Sequence, residues 1–220
     1  MQKSSYNNQK GFTLVEVMIA VGLFVVVMIA GVGAVLSANS SHKKTQSQRA
    51  ILDNMSFILE DMSRNIRLGS TLRCPAGVSA SPLGGSEEHL VGSISGVTSS
   101  DCGPGAGGEA RSVAFETQTG DPANDADQAV YMFYTNDRLY KSINGGADFY
   151  PISAEGVKFS ADSGFTVLGS APFSDSGTGI GATDAVQPRA VIRLSGTIQY
   201  KDILTPFDIQ TTVSQRFIDS

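Results

Sequence analysis

The sequence predicts an α+β protein in which one long amino-terminal helix spans a membrane and then packs on an antiparallel β-sheet headpiece. Two observations carry this. Phe12 to Leu36 is an unbroken apolar run with a single ionisable residue, Glu16, followed by a stretch to Leu68 without Gly or Pro. From residue 111 onward the chain is a series of short segments rich in β-branched and aromatic residues, separated by turn signals. The division expected is 1–11 as a polar leader, 12–36 as the membrane span, 37–68 as an amphipathic helix, 69–110 as a loop and 111–220 as the sheet region.

The leader carries Lys3 and Lys10 and no acid. At 1.5 Å per residue the run after it covers about 37 Å as a helix, enough for a hydrocarbon layer roughly 30 Å thick. A secretory signal peptide has an apolar region of only about 7–15 residues and a small-residue cleavage site beyond it. The run here is too long, and Val35-Leu36-Ser37 is a poor site of that kind. Glu16 needs a partner, because a carboxylate near the bilayer centre costs on the order of 2.5–3.5 kcal/mol. Lying one turn into the span, it can also reach the interface as an edge charge.

Lys10-Gly11-Phe12-Thr13-Leu14-Val15-Glu16 resembles the class III signal of type IV pilins and type II secretion pseudopilins. That resemblance implies cleavage between Gly11 and Phe12 by the prepilin peptidase and N-methylation of Phe12. It also implies that Glu16 pairs with the terminal amine of a neighbouring subunit in the assembled filament. The amino terminus is then cytoplasmic and the headpiece extracytoplasmic, an orientation that the flanking Lys3, Lys10, Lys43, Lys44 and Arg49 do not themselves decide.

Between residues 37 and 68, Ile51, Met55, Ile58, Met62 and Ile66 recur at helical spacing. They form a stripe expected to pack on a sheet, while Lys43, Lys44, Arg49, Asp53, Asp61 and Arg64 supply a solvated face. Gly69 reads as the helix stop, with Arg64 and Arg67 in the last turn.

Residues 69–110 change to Gly, Ser and Pro and read as a long loop, with one possible short strand at Leu90 to Ile94. They hold the two cysteines, Cys74 and Cys102, which outside the cytoplasm are best read as a disulfide. Two distant thiols make a poor zinc site, and Glu87-Glu88-His89 reads as a polar loop.

Strands are expected at Arg111–Thr117, Ala129–Tyr134, Arg138–Ile143, Val157–Ala161, Phe165–Leu168, Arg189–Tyr200 and Phe207–Phe217. Turns are expected at Thr135-Asn136-Asp137, at Asn144-Gly145-Gly146, and between Asp202 and Pro206. Leu139-Tyr140-Lys141, Pro151-Ile152, Glu155-Gly156-Val157-Lys158-Phe159 and Pro188-Arg189-Ala190-Val191-Ile192-Arg193-Leu194 are similar to J-type minor pseudopilins and W-type minor pilins. The chain departs from that group in having no Trp and in its cysteine-bearing insert.

The function classes narrow accordingly. The chain carries a formal net charge of -5, and residues 70–220 hold 9 Lys/Arg against 17 Asp/Glu, so nucleic acid is disfavoured as a partner. His42 and His89 sit in no catalytic constellation and no phosphate loop is present, so an enzyme is not expected. No cofactor is expected. Asp121, Asn124, Asp125 and Asp127 offer the oxygen ligands calcium takes, with spacing unlike an EF-hand, and remain open between a calcium site and a solvated turn. The resemblance implies a minor pilin or pseudopilin of a type II secretion or type IV pilus filament, near its tip. Its partners would be other pilins, the prepilin peptidase, an inner-membrane assembly platform and membrane lipid. The alternative is a pilin-anchored surface module for adhesion or DNA uptake.

Overall fold

The computed structural model describes residues 11–75, 78–94, 96, 98–103, 110–121, 123–170, 187–200 and 203–216. Lys3 and Lys10 of the leader, Asp202 of the expected reversal and Phe217 at the end of the last expected strand lie outside them. Among the described residues one α-helix, α1 (Leu14–Leu68), is followed by eleven strands. The chain divides into two compact units, residues 1–47 and 48–220.

In the first unit α1 begins at Leu14, two residues later than the apolar run, because Thr13 caps it. The residues from Leu14 to Leu36 are exposed throughout. An apolar surface of that length has no covering within the unit, as a membrane or filament segment requires.

In the second unit the strands are β1 (Ser70–Arg73), β2 (Ser79–Leu83), β3 (Ser86–Ser93), β4 (Ser112–Glu116), β5 (Ala129–Phe133), β6 (Leu139–Ser142), β7 (Asp148–Pro151), β8 (Val157–Phe159), β9 (Gly164–Leu168), β10 (Arg189–Tyr200) and β11 (Ile203–Ser214). They form two antiparallel sheets. The first has the order β1-β4-β5-β6-β7-β3-β2; the second runs β11-β10-β8, with β9 also on β10. The β4-β5-β6-β7 meander follows from its turns. At the first, Asp137 N donates to Tyr134 O (3.1 Å) with Asp137 in the left-handed region at φ 62°. At the second, Gly145 and Gly146 take φ 65° and 82°, and a Cβ on Gly145 would stand 2.2 Å from the Asp125 carbonyl oxygen.

Met55, Ile58, Met62 and Ile66 of α1 are buried, as their spacing predicts. They join Val113, Phe115, Tyr131, Phe133 and Leu139 of the first sheet and Phe159, Phe165, Ile192 and Leu194 of the second in one core. A smaller core lies on the opposite face of the first sheet, built on Leu90, Ala114, Val130, Met132, Tyr140 and Phe149. Strands β4 and β5 are therefore buried at every position, SVAFE and AVYMF, and read as continuous rather than alternating runs.

Three expectations change. The stretch 69–110 is not simply a loop: β1 pairs with β4, and the β2–β3 hairpin extends the sheet from β7. Its Ser-rich composition hid β1 and β2, while the short strand expected at Leu90 to Ile94 falls in the second half of β3, and Pro82 is tolerated because β2 is an edge. Pro206 does not mark the reversal but lies inside β11, opposite Thr197, again on an edge strand that can spare an N–H. Gly69 ends the helix without a positive φ. A Cβ there would stand 2.5 Å from the Glu116 carbonyl oxygen and 2.6 Å from the Phe115 ring, so close approach of β4 demands the glycine.

Candidate functional site

At the start of α1, Thr13 and Glu16 stand three apart, the spacing of a capping box. The Glu16 backbone N donates to Thr13 Oγ1 (3.3 Å), and Val17 N donates to Thr13 O (3.2 Å) as the first helical bond. Thr13 thus fixes where the helix starts and leaves Gly11 and Phe12 ahead of it, outside regular secondary structure and both exposed. A protease needs its scissile bond outside regular hydrogen bonding, and the bond between Gly11 and Phe12 meets that need. Glu16 lies in the first turn, where a carboxylate favours the positive end of the helix dipole. Exposed on the helix, its carboxylate is free to meet a cation from another chain.

The structure places Cys74 and Cys102 as a disulfide with Cα atoms 6.0 Å apart. Cys102 in turn pairs with Val167 of β9 through two backbone bonds of 2.9 and 2.8 Å, so the bridge ties the end of β1 to the second sheet. Closing a loop of this length contributes about 2–4 kcal/mol. We expect reduction to lower the urea-unfolding free energy of the full chain in detergent by that amount, with the membrane helix retained.

The acidic loop turns its oxygens onto itself. Asp121 N donates to Asp127 Oδ2 (3.0 Å), Ala123 N to Asp121 Oδ1 (3.0 Å) and Ala126 N to Asn124 Oδ1 (3.1 Å). Asp125 opens a short 3-10 turn that ends at Asp127. Beside the loop, burial and then the Asp127 and Asp121 charges push the Glu116 carboxyl above its ordinary value. Among the described residues, Asp127 Oδ1 is buried without a hydrogen-bond partner. Among the described residues, no group of three or more His, Cys, Asp or Glu is arranged to hold a metal ion.

His42 is exposed on α1. His89 lies on β3 rather than in a loop, 2.7 Å from Asp148 Oδ1 and stacked on the Tyr150 ring at 4.8 Å. The hydrogen bonds from His89 and Asn144 hold the Asp148 carboxyl below its ordinary value.

Sequence reasoning placed Asp61 on a solvated face, and the structure corrects this. Asp61 Oδ2 receives Lys141 Nζ at 2.7 Å and the Tyr131 hydroxyl at 2.7 Å, while Asn65 Nδ2 donates to Asp61 Oδ1 at 3.0 Å and to the Tyr131 hydroxyl oxygen at 2.9 Å. This network fastens α1 to β5 and β6. Burial alone would raise the Asp61 pKa, but the Lys141, Tyr131 and Asn65 donors outweigh it and hold the carboxyl below its ordinary value. Burial and the neighbouring Asp61 carboxylate push the Tyr131 hydroxyl far up, so it serves as a donor across the working pH range. No local signal marks this network, because its members are far apart in sequence.

Comparison with known families agrees with the geometry at the amino terminus. Residues 6–32 match the family model described as the prokaryotic N-terminal methylation motif. No curated protein and no solved structure matches the chain. Residues 6–32 thus carry a class III prepilin signal, which supports a membrane-anchored, type IV pilin-like or pseudopilin subunit, with a soluble headpiece, that prepilin peptidase processes.

Proposed function

We propose that the chain is a minor pilin or pseudopilin, a structural rather than catalytic subunit. Prepilin peptidase cleaves it between Gly11 and Phe12, the new terminus at Phe12 is methylated, and the apolar helix joins a type II secretion or type IV pilus filament near its tip. The observation that supports this best is the methylation motif with its Thr13 cap, which leaves the Gly11–Phe12 bond exposed ahead of the apolar helix. On this reading the protein crosses the inner membrane once, with the headpiece outside the cytoplasm, where the Cys74–Cys102 bridge persists. Other pilin-type subunits, the peptidase and an inner-membrane assembly platform are the partners.

The bond must fit a protease that has evolved for a side-chain-free residue at its amino side. Gly11→Val puts a branched side chain there without touching the span. The expected result is a full-length, uncleaved chain at normal membrane level that fails to co-isolate with other pilin-type subunits. Normal cleavage and co-isolation of that variant would sink the proposal.

A further inference from the structure

The headpiece carries a second feature, remote in sequence from the amino-terminal motif. Strand β11 pairs only with β10 among the described residues, so its other edge, twelve residues long, is open. At its carboxyl end two adjoining clefts, of about 600 and 360 Å³, share Arg67, Leu68 and Ser214. Three arginines line them. Arg64 and Arg67 come from the last turns of α1, and Arg216 follows β11 and is joined to α1 by its backbone N donating to Arg67 O (2.9 Å). All three are exposed, and none forms an ion pair among the described residues.

Neutralising a helix terminus explains Arg64 and Arg67, not the addition of Arg216 from the end of β11. The chain as a whole is acidic, at -5, so this corner stands against its general charge. Glu60 lines the larger cleft but lies a turn before Arg64, leaving the Arg64, Arg67 and Arg216 end positive. The smaller cleft is also lined by Gln215, a fully buried side chain whose Oε1 and Nε2 both lack a partner among the described residues. A buried amide with neither atom bonded is destabilising, and a polar group entering the cleft removes that penalty.

We propose that the open edge of β11 and its arginine rim dock an extended acidic segment of another protein chain, which adds a strand to the second sheet. Main-chain bonds along the edge supply the general affinity and alternate side chains supply the selectivity. Alternate residues of a strand stand on one face about 6.6 Å apart, close to the roughly 5–6 Å between helix positions three apart such as Arg64 and Arg67. An occupant with carboxylates at alternate positions therefore meets both guanidinium groups. Guanidinium suits this because it binds carboxylate through two parallel bonds.

The test uses the full chain in neutral detergent and, as probe, a labelled octapeptide of alternating Glu and Val read by fluorescence anisotropy. The Glu–Val peptide is expected to bind and to weaken at least about tenfold when salt rises to roughly 0.5 M. Its Gln–Val counterpart and a fully N-methylated version, which cannot pair main chains, are expected not to bind. The double variant Arg64→Gln/Arg67→Gln is expected to weaken binding at least about tenfold, and Arg64→Lys/Arg67→Lys less. Should the double variant melt early by circular dichroism, the exposed Arg216→Gln provides the same reading. Absence of wild-type binding, or undiminished binding by a folded variant, overturns the proposal. So does equal displacement by millimolar inorganic phosphate or by phosphatidylserine vesicles, which would mark a simple anion site or a membrane contact.

Discussion

Replacing Asp61 by alanine is expected to lower the unfolding free energy of the headpiece by about 2–3 kcal/mol, the largest single-residue effect outside the apolar core. The substitution removes the acceptor for three donors at once. It leaves Lys141 Nζ over the Tyr131 ring, 5.4 Å from its centroid, with no counter-charge. Breaking a wholly buried pair costs more, about 3–5 kcal/mol, but the Lys141 and Asp61 side chains keep 23% and 29% of their exposure, and water offsets part of the loss. Asp61→Asn retains an acceptor without the charge and should lose about half as much. Urea unfolding of the full chain in detergent measures both, and an Ala variant within about 0.5 kcal/mol of wild type would mean the network is ornamental.

The same network sets a pH dependence. A carboxyl whose folded pKa is depressed contributes stability that is fully present above its unfolded pKa, roughly 3.9, and lost as pH falls through the lower folded value. The direction of the Asp61 shift is downward. Wild-type stability is therefore expected to fall below about pH 4, and Asp61→Ala to flatten that limb. A fall of equal steepness in the variant would assign the acid sensitivity to other carboxylates.

The second large effect is expected at Glu16, and it is an effect on assembly rather than folding. Glu16→Ala makes the span easier to place in lipid, since a membrane carboxylate costs on the order of 2.5–3.5 kcal/mol. It also removes a favourable dipole contact worth about 0.3–1 kcal/mol, which Thr13 capping survives. Membrane level and headpiece melting should stay unchanged. In the assembled filament, the amine of a neighbouring Phe12 would be left without its anion, a loss of about 3–5 kcal/mol for a buried pair. Recovery of partner subunits with the chain is expected to drop at least about tenfold, well within the roughly hundredfold or more that such an energy implies at about 1.4 kcal/mol per factor of ten. Glu16→Gln separates charge from capping: it keeps the helix start but should assemble as poorly as alanine. Normal assembly of the Gln variant would make Glu16 an edge charge with a local helical role.

Much of this was legible in the sequence for identifiable reasons. The Met55, Ile58, Met62 and Ile66 stripe has helical period over twelve uninterrupted residues, and a pattern that long has few readings. Strands β4, β5 and β10 were legible through runs of β-branched and aromatic residues bounded by turn signals. Strands β1 and β2 were not, because STLR and SASPL hold a single β-branched residue, Thr71, between them, and of β3 only its second half, within Leu90 to Ile94, could be read. At the candidate site, the local motif from Gly11 to Glu16 could be read residue by residue. Asp61 could not, because a lone aspartate on an amphipathic helix looks the same whether water or a lysine eighty residues away receives it. The arginine corner was equally hidden, since Arg64 and Arg67 meet Arg216 only once α1 and β11 are in place.

The most direct measurement is the mass of the amino-terminal peptide of the chain isolated from its native membrane. The account predicts a terminus at Phe12 carrying one added methyl group, with the peptide ending at Gly11 absent from the mature protein. A mature terminus at Ser37 or Ala38 would show ordinary signal cleavage and contradict the account, as would an intact, unmethylated chain beginning at Met1.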